Sequence, residues 1–458
     1  MHTLNEEQQN VKREIQAMRG GDRLVVSGRA GSGKTFAIAN SVAERKALFL
    51  APTHQACAVL QQELTAKRHH VATIHRAIGW RQFRDEDAND VDTYKPAKEA
   101  SRQFADAEGA TRAWFPDIDI IVVDEFSMVG SFLFHAVEDY ATVFDLPVVY
   151  SGDPYQLPPI GDKEVIMDQG FKTITLQESL RFSRNSEIFK LGERLRQTID
   201  TRPNDELPCL YGLADVSVVK VTQWMDDLTA AYKNGDSLLA VASDNATLLH
   251  LRGKVRQTDD DRLRAGDIVM SKKTDDLFRN GDELTIQHIA ECTHTLNDVP
   301  ACLSKCGTLE LTGFSLAFVE RGEVAFILED PKESKRLARK VRSCLRDRKL
   351  NRNQCLRILD WLELPQEFEL SALATVHRSQ GRSVDTIYID TDTVAKRPEW
   401  LSPVQHKRML YTAITRARKE VVLYAKQGYC ERPKSNVVKL PQPRVILGTE
   451  PSLSGLAA

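Results

Sequence analysis

A glycine-rich segment between an apolar run and a helical run limits the folds open to this chain more than any other feature of the sequence. The apolar run is Leu24–Val26, and the segment after it contains Gly28, Gly31, Ser32, Gly33, Lys34 and Thr35. These residues match the pattern G-x-x-x-x-G-K-[ST], whose glycines let backbone N–H groups surround phosphate oxygens at a helix N-terminus. The pattern predicts a phosphate-binding loop, in which Lys34 neutralises the β- and γ-phosphates and Thr35 holds Mg²⁺.

Short apolar runs alternate with helical patterns in two parts of the chain. They lie at 23–28, 47–52, 119–125 and 146–153, and again at 237–245, 386–393 and 420–426. Such alternation is typical of a parallel sheet that is covered by helices on both faces. A chain of 458 residues also exceeds the size at which a single core stops growing. We therefore predict an α/β fold with two parallel-sheet domains.

Two segments interrupt this alternation. Residues 78–110 are polar and acidic with a few aromatic residues, whereas residues 281–365 begin with β-like patterns and end in a basic helical run. A basic run is most often a solvated helix face, and the alternative is a surface that faces DNA. The predicted divisions are residues 1–77 with 111–170, an insertion at 78–110, residues 171–280 with 366–430, an insertion at 281–365, and a tail at 431–458.

Two carboxylates directly follow the apolar run Ile120–Val123. Asp124 and Glu125 should emerge at the carboxyl end of a strand, the edge at which ligands bind in parallel sheets. On its own such a pair is often a solvated strand end. Beside a phosphate loop it predicts that Asp124 holds Mg²⁺ through water and that Glu125 orients or deprotonates a water molecule. The two features together predict hydrolysis of ATP or GTP.

A lone glutamine lies in a loop that three prolines stiffen. Gln156 follows the run at 146–153 and is surrounded by Pro154, Pro158 and Pro159. Proline fixes φ, so the loop should hold the amide rigidly at the end of a strand next to the acidic one. A neutral amide in that position could position water or sense the γ-phosphate, and the alternative is a stiff surface turn.

The composition restricts the remaining possibilities. The net charge of −2 requires any nucleic-acid surface to gather its basic groups locally. The sequence has no apolar run long enough to cross a bilayer, and its polar N-terminus does not resemble a signal peptide. A zinc site at Cys292, His294, Cys302 and Cys306 would lack paired C-x-x-C spacing, so we expect ordinary thiols there.

The ordered motifs of the chain resemble those of superfamily 1B helicases, in the branch that contains RecD and the phage Dda helicase. The matching segments are 4–8, 28–35, 51–56, 73–79, 124–128, 152–160, 176–183, 374–385 and 410–418. Two positions depart from the usual pattern. Residues 180–182 are Leu-Arg-Phe where relatives often have Phe-Arg-Gln, and Arg378 stands where many relatives have lysine.

The resemblance implies two RecA-like domains with ATP and Mg²⁺ between them. Gln8 would contact adenine, and Gly381 would belong to the nucleotide site. Arg181 and Arg416 would reach the γ-phosphate from the second domain, although either could be an ordinary surface ion pair. The residues that would contact single-stranded DNA are Pro52, Thr53, His54, Thr73, His75, Thr375, His377 and Arg378. For His75 a core position is the alternative, because its surroundings are half apolar.

In the relatives the first insertion carries a strand-separation pin and the second resembles an SH3-like domain. Phe83 and Tyr94 are the candidates for a pin tip here. The resemblance implies an ATP-dependent DNA helicase that moves 5′ to 3′ on single strands, acts at single-strand/duplex junctions, and serves replication, recombination or repair. It further implies a monomer in a bacterial or phage-infected cytoplasm, with a single-strand-binding protein as a possible partner and no membrane partner.

Two other functions stay open on the sequence. One is an RNA helicase of the same superfamily. The other is a binding module that uses nucleotide only as a switch, although the hydrolytic set of Glu125, Gln156, Arg181 and Arg416 favours a motor.

Overall fold

A computed structural model describes most of the chain. It covers residues 3–64, 69–85, 88–93, 117–179, 186–204, 215–257, 262–275, 277–397, 399 and 401–424. The strands are β1 (Arg23–Gly28), β2 (Ala47–Ala51), β3 (His70–Thr73), β4 (Arg81–Arg84), β5 (Asp90–Thr93), β6 (Ile120–Val123), β7 (Val148–Gly152), β8 (Lys172–Leu176), β9 (Val216–Val219), β10 (Leu238–Ala242), β11 (Ile268–Ser271), β12 (Glu283–Leu296), β13 (Leu309–Phe318), β14 (Val324–Leu328), β15 (Phe368–Leu370), β16 (Leu373–Thr375), β17 (Val384–Ile389) and β18 (Ala417–Tyr424).

Helices connect and cover these strands. They are α1 (Glu6–Ala17), α2 (Lys34–Ser41), α3 (His54–Glu63), α4 (Ile74–Ala77), α5 (Ser131–Val143), α6 (Glu187–Thr201), α7 (Val221–Asn234), α8 (Asn245–Arg256), α9 (Glu333–Arg346), α10 (Arg352–Leu362) and α11 (Pro403–Ile414). Short 3₁₀ turns lie at Phe126–Met128, Met167–Gln169 and His377–Ser379, and a π-helical turn lies at Thr391–Ala395. Among the described residues, no helix is both long enough and apolar enough to cross a membrane.

Two parallel sheets form the frame of the molecule. The first has the order β3-β2-β6-β7-β1-β8 and the second the order β16-β10-β17-β18-β9. Every pairing in both sheets is parallel. Strands β2 and β6 are buried along their whole length, as expected for strands covered by helices on both faces. The predicted α/β class with two RecA-like domains is confirmed.

Alternate residues of each central strand face different cores. In β2, Leu48 and Leu50 pack in one hydrophobic cluster, whereas Phe49 packs with Val26 in another. In β10, Leu239 belongs to one cluster and Leu238 to a different one. This period of two places a layer of helices on each side of both sheets, so each domain has three layers.

A third sheet, which is antiparallel, has the order β14-β13-β12-β11-β15. It includes β11 and β15, so the β-rich unit extends on both sides of the predicted insertion at 281–365. In the same way β8 pairs with β1, beyond the predicted domain boundary at residue 170. Strand β8 is at the edge of its sheet and largely exposed, so it lacks the apolar run that marked the other strands.

The residues considered for zinc have other contacts. The His294 ring stacks on Phe326, with the ring centroids 4.2 Å apart. The Cys306 thiol lies 3.0 Å from the Ser304 hydroxyl and 3.3 Å from that of Thr308. No group of three His, Cys, Asp or Glu residues suited to a metal ion occurs in the described parts of the chain.

The described part of the first insertion, residues 78–85 and 88–93, contains a β4–β5 hairpin, and this hairpin docks on helices α9 and α10 of the β-rich unit. Ala88 at its turn is fully buried among Val341, Cys355 and other apolar residues of that helix pair. Arg342 donates to the Ala88 carbonyl oxygen and to Asp90, both at 3.0 Å. Two inserted segments that are far apart in sequence therefore form one body.

Additional ion pairs hold the same interface. Arg84 of the hairpin donates to Asp360 of α10 and to Glu363, which directly follows this helix. Arg352 donates to the carbonyl oxygens of Arg84 and Asp85. Of the candidates for a pin tip, Phe83 lies in β4 and Tyr94 lies outside the described residues, so the tip remains a prediction.

Enlarging the side chain at Ala88 should separate the hairpin from the helices. Ala88→Leu places extra methyl groups in a filled core and should cost about 1–3 kcal/mol of docking free energy. Hydrogen–deuterium exchange of residues 81–93 should therefore become faster. Ala88→Gly is the matched control, because glycine tolerates the left-handed φ of 59° and adds no volume. Equal protection in the two variants would contradict the docking described above.

Candidate functional site

The loop between β1 and α2 has the backbone shape that phosphate binding requires. Gly31 and Gly33 have φ angles of 75° and 76°, a left-handed conformation that favours glycine. Gly33 directly precedes the first turn of α2, so the N–H groups of that turn face the loop. The predicted phosphate-binding residues are therefore brought together as a cradle that can bind anions.

Lys34 lies in this cradle with its side chain half-buried. Its Nζ donates to the carbonyl oxygens of Gly28 and Arg29, at 2.9 and 3.0 Å. Burial lowers the pKa of Lys34, and the carboxylates of Asp153 and Glu125 counteract that shift. Among the described residues, the hydrogen bonds of this ammonium group are to neutral carbonyls of its own loop, so it is well placed to gain a phosphate oxygen as partner.

The two predicted acids lie opposite the loop. The Asp124 N–H donates to the Leu50 carbonyl oxygen at 2.8 Å, which fixes Asp124 at the end of β6. Glu125 has a left-handed backbone with φ 53° and ψ 47°, an uncommon conformation for a glutamate that is associated with functional sites. Burial raises the pKa of both carboxyl groups, and the neighbouring Asp124 raises that of Glu125 further.

Gln156 meets Arg416, which comes from the other domain. Arg416 follows α11, and its Nη2 donates to Gln156 Oε1 at 3.3 Å. Both side chains are buried. Burial lowers the pKa of Arg416, and Glu125 counteracts this shift. The proline-rich loop thus holds the Gln156 amide toward an arginine of the other domain. Its predicted role at the γ-phosphate stays a prediction.

A cavity of 750 Å³ lies between the two domains and contains these groups. Its lining includes the phosphate loop, both acids, Gln156 and Arg416, together with Gly381 of the second domain. Gln8 is absent from this lining: it is buried, caps the start of α1 with Asn5, and donates from Nε2 to the Ser32 carbonyl oxygen at 3.4 Å. Arg181 lies outside the described residues, so its predicted role stays a prediction.

Oxygen donors suited to Mg²⁺ are present in the same cavity. Thr35 supplies a hydroxyl group at the first turn of α2, and Asp124 supplies a half-buried carboxylate. Mg²⁺ sites commonly use one or two protein oxygens together with water and substrate phosphates. The residues present therefore fit the ion.

The predicted DNA-contacting residues fall at the ends of elements on both domains. The Thr53 hydroxyl caps α3 by accepting from the Ala56 N–H, and the Thr73 hydroxyl caps α4 by accepting from the Arg76 N–H, both at 3.2 Å. Pro52 precedes the first of these caps. The caps use acceptor positions of the two hydroxyls, so their O–H groups still can donate to a phosphate.

The predicted histidines have different surroundings. His54 lines a groove of 260 Å³ together with Arg279 and Gly281, which come from the start of the β-rich unit. Burial, with the nearby Arg279 charge, lowers the pKa of His54. The His75 ring contacts Trp80 edge to face, with centroids 5.4 Å apart. The sequence analysis did not predict Arg279 at this groove, because no local pattern near Arg279 indicates that it lies close to His54.

On the second domain the predicted residues form a short turn after β16. Thr375 is buried and its hydroxyl accepts from the Arg378 N–H at 3.4 Å. Burial lowers the pKa of His377. Arg378 forms an ion pair with Glu369, with its Nη1 2.8 Å from each carboxylate oxygen. Arg378 therefore already has a carboxylate partner in this structure.

A buried network joins the proline-rich loop to the second domain, and sequence reasoning missed it. Asp153 is completely buried; its Oδ2 accepts from the Tyr411 hydroxyl at 2.6 Å and lies 3.6 Å from Arg196. The Leu157 N–H donates to the Thr412 hydroxyl at 3.0 Å, and Gln380 donates to the Leu157 carbonyl oxygen at 3.3 Å. In the sequence, the feature that could have indicated this network was the position of Asp153 at the carboxyl end of β7.

Comparisons with known proteins agree with this architecture. Residues 3–202 match a family model described as an AAA domain, and residues 370–424 match a UvrD-like helicase C-terminal domain. A solved structure of two coordinating Pif1 helicases at forked double-stranded DNA is 16% identical with a TM-score of 0.50, over 92% of each chain. The Pif1 helicase of Candida albicans is also 16% identical, with a TM-score of 0.46 over 93% of this chain and 94% of its own.

One curated relative is an uncharacterised protein, R530, of Acanthamoeba polyphaga mimivirus. It is 25% identical over 166 residues, which are 32% of this chain and 30% of the viral protein. The chain therefore spans less than a third of that relative's length.

The fold and the cavity define a P-loop nucleotide-binding protein built on two RecA-like domains. Two separate segments of the chain match an AAA domain and a UvrD-like helicase C-terminal domain, which supports the predicted resemblance to superfamily 1B helicases. The closer resemblance to the RecD and Dda branch stays a prediction.

Replacing Glu125 by Gln should stabilise the protein most at alkaline pH. Because the pKa of Glu125 is raised above the usual 4.5, the folded state keeps a proton that the unfolded state loses. The stability linked to that proton is present below pH 4.5 and is lost as the pH rises through the raised pKa. We expect Glu125→Gln to increase the free energy of unfolding more at pH 8 than at pH 5.

Thermal denaturation at the two pH values measures this difference. Glu44→Gln, at an exposed position, is the control and should change stability at neither pH. An equal effect of Glu125→Gln at pH 5 and pH 8 would be inconsistent with the raised pKa.

Proposed function

We propose that this protein is an ATP-driven DNA helicase that moves 5′ to 3′ along single-stranded DNA and separates the duplex ahead of it. The observation that carries the proposal is the contact between Gln156 and Arg416 inside a cavity lined by both domains. A nucleotide bound there would touch both domains at once. Hydrolysis would then change how the domains are held together, which is the requirement for directed movement.

The residues of the cavity divide the work of hydrolysis among them. Lys34 and the loop N–H groups hold the β- and γ-phosphates of ATP. Glu125, whose pKa is raised by burial, accepts the proton of the attacking water as the water oxygen bonds to the γ-phosphorus. The bond from that phosphorus to the β,γ-bridging oxygen breaks, which gives ADP and phosphate.

Arg416 provides positive charge where negative charge develops on the transferred group. Its guanidinium group is buried, so its interaction with phosphate oxygens is little screened by water. Gln156 holds one of the Arg416 nitrogens and so positions this group. A bound Mg²⁺, held by Thr35 and Asp124, would neutralise phosphate charge and polarise the γ-phosphoryl group.

The buried network provides a route from the cavity to the rest of the second domain. Asp153 and Leu157, on either side of Gln156, bond to Tyr411 and Thr412 of α11. A change at the γ-phosphate that displaces Gln156 would therefore also displace α11. The predicted DNA-contacting turn at residues 375–378 is connected to the same loop through Gln380.

DNA, and not RNA, is the proposed track on two grounds. The motif residues resemble the RecD and Dda branch, and the Pif1 structure of similar fold is of helicases at forked double-stranded DNA. The direction of movement follows from the resemblance alone. ATPase stimulation by matched DNA and RNA oligonucleotides separates the two substrates.

Strand displacement on two matched duplexes tests the activity and its direction together. With ATP and Mg²⁺, we expect unwinding of a duplex with a 5′ single-stranded tail and not of one with a 3′ tail. Lys34→Ala should abolish unwinding, because it removes the cation that holds the phosphates. Unwinding of only the 3′-tailed duplex would contradict the proposed direction and leave the hydrolysis mechanism standing.

Arg416→Ala should decrease DNA-stimulated ATP hydrolysis by about 10³-fold, the typical effect of removing an arginine that stabilises the transferring phosphoryl group. Binding of a fluorescent ATP analogue should weaken much less, because the phosphate loop is unchanged. Arg418→Ala is the matched control, since Arg418 is two residues away and pairs with Asp385 outside the nucleotide cavity. Similar losses of hydrolysis in both variants would argue against the proposed role of Arg416.

A further inference from the structure

Helix α9 concentrates positive charge on a chain whose net charge is close to zero. Residues 332–352, which include α9, contain ten Lys and Arg residues and two acidic residues. The helix is inserted between β14 and β15, and its apolar face packs through Val341 and Cys344 against α10 and the sheet. The cations therefore lie on a rigid support.

Some of these cations have structural partners. Arg342 and Arg352 hold the β4–β5 hairpin, Arg336 pairs with Asp330, and Lys340 donates to the Leu303 carbonyl oxygen. Three others, Lys335, Arg339 and Arg346, are exposed, and no carboxylate in the described part of the chain pairs with them. These three residues are called the α9 stripe below.

The α9 stripe is a single line of charge. At 100° per residue, Arg339 and Arg346 lie only about 40° and 20° around the helix from Lys335, and the three span about 16 Å along the axis. This face is opposite Val341, which points into the core. The spacing suits contacts with successive phosphates along one backbone strand.

Such an arrangement has an energetic cost in the isolated protein. Like charges three or four residues apart on a helix repel each other, and the stripe is flanked by Arg336, Lys340 and Arg342 at such spacings. A polyanion would remove that repulsion and release its own counterions on binding. A scattered, solvated helix face would carry acids among the bases, and the acids here are confined to Glu333 and Asp347 at the two ends of the helix.

The hairpin indicates which polyanion the stripe would meet. The β4–β5 hairpin comes from the first domain, between the predicted DNA-contacting residues of α4 and strand β6, and docks on α9 through Arg342. Arg342 lies about 20° from Lys335 around the helix axis, so the hairpin adjoins the stripe. Any nucleic acid that reaches the hairpin therefore also reaches the α9 stripe.

We propose that the α9 stripe binds the phosphate backbone of double-stranded DNA beside the β4–β5 hairpin. The inference rests on the proposed function, because it takes the hairpin to lie at the junction of single-stranded and double-stranded DNA. The stripe reads no sequence, since its contacts are to phosphates alone. It would hold the duplex against the hairpin while the motor draws in one strand.

Equilibrium binding tests this with a triple variant, K335A/R339A/R346A. Fluorescence anisotropy would be measured with a labelled blunt duplex and with a labelled single strand, over a series of salt concentrations. We expect duplex affinity to decrease at least tenfold at low salt, and the slope of log K against log salt to become shallower by about 3, since each phosphate contact contributes about 0.9. Single-strand affinity and single-strand-stimulated ATP hydrolysis should stay within twofold of the wild type.

Two further variants control for net charge and for folding. K163A/K220A/K254A removes three exposed lysines from other parts of the surface and should leave duplex binding unchanged. R339K/R346K keeps the charges and should retain duplex binding. Unchanged duplex affinity in K335A/R339A/R346A would overturn the proposal, and so would an equal loss of single-strand affinity, which would place the stripe on the single-strand track.

Failure of this proposal can be told apart from failure of the proposed function. If the wild type binds duplex through the stripe but neither hydrolyses ATP nor unwinds DNA, the function is wrong and the surface stands. If the wild type unwinds DNA and the triple variant binds duplex as well as it does, the surface is wrong and the function stands.

Discussion

The crowding of four charges around one cavity is the constraint on which the rest of the structure depends. Lys34, Asp124 and Glu125 are half-buried and Arg416 is buried, and loss of hydration shifts the pKa of each toward the neutral form. They tolerate this because both acids have a cation nearby: Lys34 lies in the same domain, and Arg416 faces Glu125 from the second domain. Since Arg416 belongs to the second domain, closing the cavity is inseparable from bringing the domains together. The same charges therefore affect both the nucleotide chemistry and the way in which the two domains are held together.

The proline-rich loop is the mechanical counterpart of that electrostatic arrangement. It extends from the first sheet, yet its side chains and backbone bond to Tyr411, Thr412 and Gln380 of the second domain. Prolines limit the ways in which such a loop can yield, so a displacement at Gln156 is passed on to α11. A flexible loop carrying the same residues would absorb the displacement locally. The rigidity of this segment is therefore as important as the identity of its residues.

The sequence allowed the parallel sheets, the phosphate loop and the two acids to be predicted, because each depends on local pattern. Apolar runs, glycines at fixed spacing and the end of a strand are all visible over a few residues. Strand β8 was not predicted, because this edge strand lacks a continuous apolar run. The hydrogen bond between Asp153 and Tyr411, and the groove shared by His54 and Arg279, were not predicted for another reason. Each joins residues more than two hundred positions apart, and no local pattern records such a contact.

The docking of the β4–β5 hairpin on α9 and α10 has a consequence for how the two domains can move. The hairpin grows from the first domain and the helix pair from the second, so their interface is a second bridge, separate from the nucleotide cavity. Two bodies that touch at two distant places lose most of their freedom to slide or twist. When the nucleotide cavity opens, the motion left to the two domains is rotation about the contact between the hairpin and the helix pair. The two insertions thus form a hinge for the opening of the cavity.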